Sequence, residues 1–114
     1  MKRIRKPSHP GKILDELYIK PLCLNIQKLA DRLQISRNTL FKIRSGKASI
    51  TTFVAIALSE AFDTTPQLWL NLQQKYDLWV EENEYEHEAV QPIIKNGKFL
   101  PIKQNVEIVR ITHA

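Results

Sequence analysis

The sequence has little cysteine and glycine, with one and three among 114 residues, and its six prolines are an ordinary number. The single cysteine, Cys23, excludes an intramolecular disulfide framework and a multi-cysteine zinc site, and it is typical of a reducing compartment. Three glycines and six prolines are too few for a collagen-like or linker-rich chain. No apolar run approaches the roughly 18 residues that cross a bilayer, and Pro7 and Pro10 stand where a secretory signal would be apolar. We therefore expect one domain, located in the cytoplasm and without membrane contact.

The chain also lacks the residue groupings that metal sites and enzymes need. Its histidines, His9, His87 and His113, have no spacing that places two of them on one helix face, which disfavours a metal site. His9 beside Pro10 is better explained by capping or packing of the first helix. Cys23 has no evident activating neighbour in the sequence, so we interpret it as a buried structural thiol. The carboxylates form no evident acid–base pair, and we expect no cofactor and no enzymatic activity.

Positive charge is in excess, but only in part of the chain. The total is 17 Lys and Arg against 12 Asp and Glu, a net charge of +5. Residues 1–75 hold thirteen basic and five acidic side chains, whereas residues 76–114 hold four and seven. Between Asp31 and Glu60 there are five basic residues and no acidic one. A patch of one sign is typical of phosphate binding, although a basic helix can also be a plain solvated surface.

Apolar spacing and helix breakers predict five helices before about residue 82. The first follows Pro10, ends before Pro21 and has an apolar face made of Ile13, Leu14, Leu17 and Tyr18. The fourth begins at Thr51 or Thr52, and its apolar residues are Phe53, Ile56, Ala57, Ala61 and Phe62. The fifth begins at Pro66 and has a wide apolar stripe that includes Trp69, Tyr76 and Trp79. These aromatics are most simply core, but any that stay exposed would form a surface for a second copy or another protein.

The second and third predicted helices are short and closely joined, which indicates a helix-turn-helix. Asn25 and Ser36 can cap their starts. Ala30 is small where the helices would cross, while Leu40 and Ile43 would hold the third helix against the core. A helix presented in this way fits the major groove of DNA, where its first residues meet base edges.

The outward face of the third helix has the residue types that bind bases and phosphates. Arginine can bond guanine through two hydrogen bonds, and asparagine can bond adenine in the same way. We therefore predict base readout by Arg37, Asn38 and Lys42. Phosphate contacts fix the register without reading sequence. We predict such contacts at Ser36, Thr39, Arg44, Ser45 and Lys47.

Beyond residue 82 the character of the chain changes. Residues 81–88 hold five glutamates, a pattern typical of a solvated helix end or a linker. Further on, Asn96 and Gly97 lie between two apolar pairs, which predicts a β-hairpin. The last apolar run, residues 106–111, is rich in β-branched side chains. We expect a small β element or a loosely attached tail in this part of the chain.

Three strings of residues carry a family resemblance. The run LADRLQISRNTLFKIRSGK at 29–47 resembles the lambda-repressor-type (Cro/C1, XRE) helix-turn-helix. HPGKIL at 9–14 and LWLNLQQKYDLW at 68–79 are similar to the HigA family of antitoxins, also called the VapI type. The resemblance implies an all-α, five-helix DNA-binding domain at residues 9–82, after a basic arm at 1–8 and before a C-terminal extension at 83–114. It further implies a homodimer on a palindromic operator, paired with a HigB-like toxin of the RelE type, a ribosome-dependent mRNA endonuclease.

Two positions depart from the family pattern. The family usually has glutamine, a phosphate contact, where this chain has Ile26, and we expect Gln27 to take that role if the helix is slightly rotated. Gln34 replaces a turn glycine, so we expect a turn that is strained or differently wound.

The main hypothesis is an antitoxin of a type II pair that represses its own operon and neutralises the toxin. Under it, the exposed part of the Trp69, Tyr76 and Trp79 stripe is a dimer or toxin surface. The alternative is a stand-alone XRE-family regulator whose C-terminal region binds an unrelated protein.

Overall fold

The computed structural model describes residues 5–86 and 88–102. These residues form five helices and one hairpin, which confirms the all-α class with a small β element. The helices are α1 (Pro10–Leu14, continued by a π-helical turn at Asp15–Ile19), α2 (Ile26–Leu33), α3 (Arg37–Arg44), α4 (Thr52–Phe62) and α5 (Pro66–Asn83). The strands are β1 (Ile94–Lys95) and β2 (Lys98–Phe99). In the described ranges, no helix is both long and apolar enough to cross a membrane.

Each helix begins at a side chain that accepts a hydrogen bond from the first turn. As predicted, Asn25 Oδ1 accepts from the N–H of Lys28 at 2.9 Å, and Ser36 Oγ accepts from the N–H of Thr39 at 3.0 Å. Threonines 51 and 65 do the same for α4 and α5. His9 Nδ1 accepts from the N–H of Gly11 at 2.9 Å, so the expected capping role of His9 is confirmed. Caps of this kind satisfy N–H groups that have no partner within the helix.

The apolar face of the first helix differs from the prediction. The N–H of Lys20 donates to the carbonyl of Asp15, five residues earlier, at 2.9 Å. This π-helical turn rotates the following residues, so Ile19 is buried whereas Leu17 is 63% exposed. The placement of Leu17 in the core was wrong because the 3.6-residue period does not continue through the turn. Cys23 is also exposed rather than buried, in the loop after the turn, where its φ is 53°.

The apolar residues named for α4 are only partly on its buried face, since Ala57 and Phe62 pack against the core but Phe53 and Ile56 do not. Val54, Ala55 and Leu58 are buried, whereas Phe53 is 53% and Ile56 is 44% exposed. Most residues of α4 are apolar, so their spacing does not identify which side meets the core. The side that packs is instead set by α5 and α2, which α4 contacts.

The core lies where α1, α2 and α4 meet α3 and α5. Its largest fully buried side chains include Leu14, Leu33, Leu40, Ile43, Leu58 and Trp69. Burial of each such side chain contributes about 1.5–3 kcal/mol relative to exposure. Gly11 allows α1 to touch α3, because a Cβ at this position would overlap the carbonyl oxygen of Ile43. The core thus fixes α3 from behind.

The hairpin forms at the predicted turn. Ile94 pairs with Phe99, and Lys95 pairs with Lys98, in antiparallel register. Asn96 and Gly97 have φ values of 53° and 76°, as the tightest hairpin turns require. Every hairpin side chain is exposed. The predicted apolar run at 106–111 lies outside the described residues.

Candidate nucleic-acid interface

The turn between α2 and α3 consists of three residues, Gln34 to Ser36. Gln34 adopts the left-handed conformation, with φ 63° and ψ 37°. The N–H of Ile35 donates to the carbonyl of Ala30 at 3.0 Å, which closes the end of α2. Gln34 therefore takes the conformation that suits glycine, in which a residue with a Cβ is strained.

One face of α3 is buried and the opposite face is exposed. Leu40 and Ile43 are at most 1% exposed and hold the helix against the core. Arg37, Asn38 and Lys42, the three residues predicted to read bases, are all exposed. Arg37 and Asn38 are the first two residues of α3. The fold thus brings the predicted base-reading side chains together on one accessible face.

Most of the predicted phosphate contacts lie around the two ends of α3. At its start, Ser36 Oγ donates to Thr39 Oγ1 at 2.8 Å. At its end, Ser45 Oγ donates to the carbonyl of Lys42 at 3.2 Å, and Lys47 is exposed just beyond. Gln27 is exposed in the first turn of α2, where its Nε2 donates to Asp31 Oδ1 at 3.0 Å. Ile26 packs against the core, so Gln27 is the polar side chain that is exposed at the start of α2.

Arg44 has a different environment from the one predicted. Its Nε and Nη2 atoms donate to Asp15 Oδ1 at 3.0 and 2.8 Å, and both side chains are largely buried. Two hydrogen bonds to one carboxylate hold the guanidinium against the first helix. This ion pair fastens α3 to the first helix, while the phosphate contact of Arg44 stays a prediction.

Comparison with known proteins places this geometry in a family. A helix-turn-helix family model matches residues 19–69. An uncharacterised HTH-type transcriptional regulator of Haemophilus influenzae is 47% identical over 75 residues, which cover 66% of this chain and 70% of that protein. Antitoxin HigA-1 of Vibrio cholerae is 35% identical over 85 residues, which cover 75% of this chain and 80% of that protein. The chain belongs to the HigA family of helix-turn-helix proteins.

A solved structure agrees with the assignment to the HigA family. Pseudomonas aeruginosa antitoxin HigA with the higBA promoter superposes with a TM-score of 0.66 and 32% sequence identity. The match covers 78% of this chain and all of that one. The resemblance read from the three sequence strings is thereby confirmed.

The aromatic stripe on α5 of this HigA-family chain is divided between core and surface. Trp69 is fully buried, and its Nε1 donates to Thr64 Oγ1 at 2.8 Å. Trp69 therefore cannot belong to a dimer or toxin surface in this conformation, because no part of it is accessible. Tyr76 and Trp79 are half-buried. The Nζ atom of Lys6 lies 5.5 Å from the ring centre of Tyr76 and 5.2 Å from that of Trp79.

Phe41 is an exposed residue of the HigA-family α3 to which sequence reasoning assigned no role. It lies on the same face as Arg37 and Lys42 and is 55% exposed. A large apolar side chain on an otherwise polar face was the available signal. In the described ranges, no cluster of three His, Cys, Asp or Glu side chains is suited to a metal ion, and His87 and His113 lie outside those ranges.

Proposed function

We propose that this chain is the antitoxin of a type II toxin–antitoxin pair and that it binds operator DNA through α3. The observation that supports DNA binding most directly is the exposed row of Arg37, Asn38 and Lys42 on a helix fixed by its opposite face. No acidic residue between Asp31 and Glu60 opposes the approach of phosphates. The solved structure of the related P. aeruginosa antitoxin HigA with the higBA promoter favours the same activity.

Within this proposal, the residues on and around α3 divide by chemistry. Arg37 and Asn38 bond the edges of guanine and adenine, with Lys42 as a third contact, each worth about 1–3 kcal/mol of discrimination. Phe41 lies on the same face and packs against a thymine methyl group, a contact that apolar side chains make in the major groove. The flanking phosphates are bound by a second set of side chains, which fix the position of the protein along the DNA: Gln27, Ser36, Thr39, Ser45 and Lys47.

The proposal includes a homodimer on a palindromic operator. Two copies would present their α3 helices about 34–36 Å apart, one turn of DNA. Phe53 and Ile56 of α4 are exposed apolar side chains that a second copy would cover in a symmetric interface. Bound in this way, the dimer blocks transcription of its own operon.

Fluorescence anisotropy with the DNA upstream of the chain's own gene tests the DNA face. Arg37→Ala combined with Asn38→Ala should weaken binding at least tenfold, because two base contacts are lost. Lys75→Ala, which removes an exposed positive charge from α5, is the matched control and should bind as the wild type does. Lys47→Ala should lower the slope of log affinity against log salt concentration by about 1. Equal affinity of the double variant and the wild type would refute the assignment of α3.

We further propose a HigB-like toxin of the RelE type as the protein partner, bound away from α3. The name of the V. cholerae relative, an antitoxin, supports this partner. The proposed organisation is an arm at 1–8, the DNA-binding domain at 9–82 and an extension at 83–114. Purification of the native complex, followed by identification of the bound protein, tests the partner directly.

The alternative is a stand-alone regulator whose C-terminal region binds an unrelated protein. Two observations favour it: the H. influenzae relative is named a transcriptional regulator, and the exposed hairpin leaves Ile94 and Phe99 uncovered. Recovery of a protein that has no ribonuclease activity would support this alternative over the toxin.

A further inference from the structure

The arm and the end of α5 meet in a cluster that the DNA-binding proposal does not use. We define the cation cage as Tyr76, Trp79 and Glu84. The Lys6 ammonium lies above both rings and donates to Glu84 Oε2 at 2.8 Å. Two ring faces and a carboxylate around one ammonium form a complete recognition site for a cationic side chain.

The residues of the cage lie on α5 and at its end, whereas Lys6, which occupies the cage, lies before the first helix. Tyr76 and Trp79 are three residues apart on α5, so their rings share one side. His9 packs edge-on against Tyr76, with ring centres 4.9 Å apart and planes at 77°, and this contact fixes the first ring. Glu84 caps the end of α5. Lys6 precedes the first helix, and only Pro7 and Ser8 lie between it and the buried His9. The backbone of Lys6 is therefore anchored close to the cage without being part of a helix.

The surroundings of the cage attract positive charge. Residues 81–86 include four glutamates and no basic residue. The side chains of Lys6 and Glu84 remain 43% and 44% exposed, so solvent and other molecules reach the contact. An accessible ion pair in a field of negative charge exchanges readily with another cation.

We propose that the cation cage is a docking site for a lysine or arginine side chain of a partner protein, and that Lys6 occupies it as a built-in competitor. The inference rests on the proposed antitoxin function, in which the toxin is that partner. The charge complementarity of an acidic, aromatic site selects a basic residue. When the partner docks, Lys6 leaves the cage and its positive charge is released from the acidic surface.

A peptide of eight lysines, titrated into the full chain at low salt, tests the cage without toxin or DNA. The indole N–H signal of Trp79 in a nitrogen–proton NMR spectrum reports occupancy, and Trp79→Phe assigns it. Lys6→Gln should tighten peptide binding about threefold, because the competing cation–π contact is lost. Arg5→Gln removes the same charge from the neighbouring residue and should change the affinity less.

A second pair of variants tests the cage from the other side. Glu84→Gln should weaken peptide binding about threefold relative to Glu81→Gln, which removes the same charge from an exposed place on α5. The inference is overturned if Lys6→Gln matches Arg5→Gln and Glu84→Gln matches Glu81→Gln, because general electrostatics would then explain the binding. Thermal unfolding of each variant verifies that it is folded. If the protein binds DNA but the titrations fail, only the cage proposal is refuted. If the titrations succeed but the protein binds neither DNA nor toxin, only the proposed function is refuted.

Discussion

The side-chain oxygen of Gln73 accepts a hydrogen bond from the backbone N–H of Ile50 at 2.7 Å, and both residues are buried. Gln73 lies in α5, and Ile50 lies in the segment between α3 and α4. The Nε2 atom of Gln73 in turn donates to Asp77 Oδ1 at 2.9 Å. A polar side chain inside the core therefore fixes the segment that follows α3 and contains Lys47, one of the proposed phosphate contacts.

Replacement of Gln73 by leucine should destabilise the fold by about 1–3 kcal/mol, because the N–H of Ile50 would stay buried without a partner. Urea unfolding followed by circular dichroism measures this change in the free energy of unfolding. Gln74→Leu, at the exposed neighbouring position, is the matched control and should shift it by less than about 0.5 kcal/mol. Equal stability of the two variants would show that the hydrogen bond does not support the loop.

The ion pair of Arg44 and Asp15 predicts coupled effects on stability. Because both side chains are largely buried, Arg44→Gln and Asp15→Asn should each be destabilising, and a double-mutant cycle should give a coupling of about 1–2 kcal/mol. The measurement is again the free energy of unfolding from urea titrations of the two single variants and the double variant. The exposed side chain of Lys20 also approaches Asp15, with Nζ 3.5 Å from Oδ2. Lys20→Gln is therefore the control and should lower the free energy of unfolding less.

The salt dependence of DNA binding distinguishes two roles of Arg44, the ion pair with Asp15 and a contact with phosphate. If Arg44 is held by Asp15, then Arg44→Gln leaves the salt dependence of DNA binding unchanged, whereas Lys47→Ala lowers it. A lower slope of log affinity against log salt concentration for Arg44→Gln would show that Arg44 contacts phosphate.

Local signals in the sequence were sufficient for much of the fold. Asn25 and Ser36 were identified as caps because a side-chain oxygen next to an apolar run has few other roles. The hairpin turn at Asn96 and Gly97 was found because both residues tolerate positive φ. The exposed face of α3 also followed from local spacing, since Leu40 and Ile43 mark its buried side.

Features that depend on distant contacts were not predicted. Leu17 was misplaced because the π-helical turn changes the helical period without a breaker residue in the sequence. The ion pair of Arg44 was not predicted, because nothing within its own helix indicates that Asp15, 29 positions earlier, lies 2.8 Å from it. Trp69 and Tyr76 occupy one helical stripe, yet only tertiary packing decides which of them is fully buried.

Burial of His9 makes stability depend on pH. Burial lowers the pKa of His9 below its usual 6.5, although Asp77 and a backbone hydrogen bond to Ala48 oppose the shift. The folded protein therefore keeps the imidazole neutral at pH values where the unfolded chain already binds a proton. Stability should be complete above about pH 7.5 and should fall as the pH drops through 6.5, with a slope below about 1.4 kcal/mol per pH unit.

Urea unfolding between pH 8 and pH 5 measures the dependence on His9. His9→Asn retains a side-chain oxygen that can cap α1 but does not titrate, so its stability should change much less over this range. Parallel curves for the variant and the wild type would assign the pH dependence to other groups.

The left-handed conformation of Gln34 predicts a stabilising substitution in the turn of the helix-turn-helix. A residue with a Cβ costs about 1–2 kcal/mol in this conformation, whereas glycine adopts it freely but loses about 0.5–1 kcal/mol more entropy on folding. Gln34→Gly should therefore raise the free energy of unfolding by up to about 1.5 kcal/mol. Gln34→Ala keeps the Cβ and provides the control, so equal stabilities of the glycine and alanine variants would contradict strain at this turn. DNA affinity should be the same in both variants, because residue 34 keeps its left-handed conformation and α3 keeps its position.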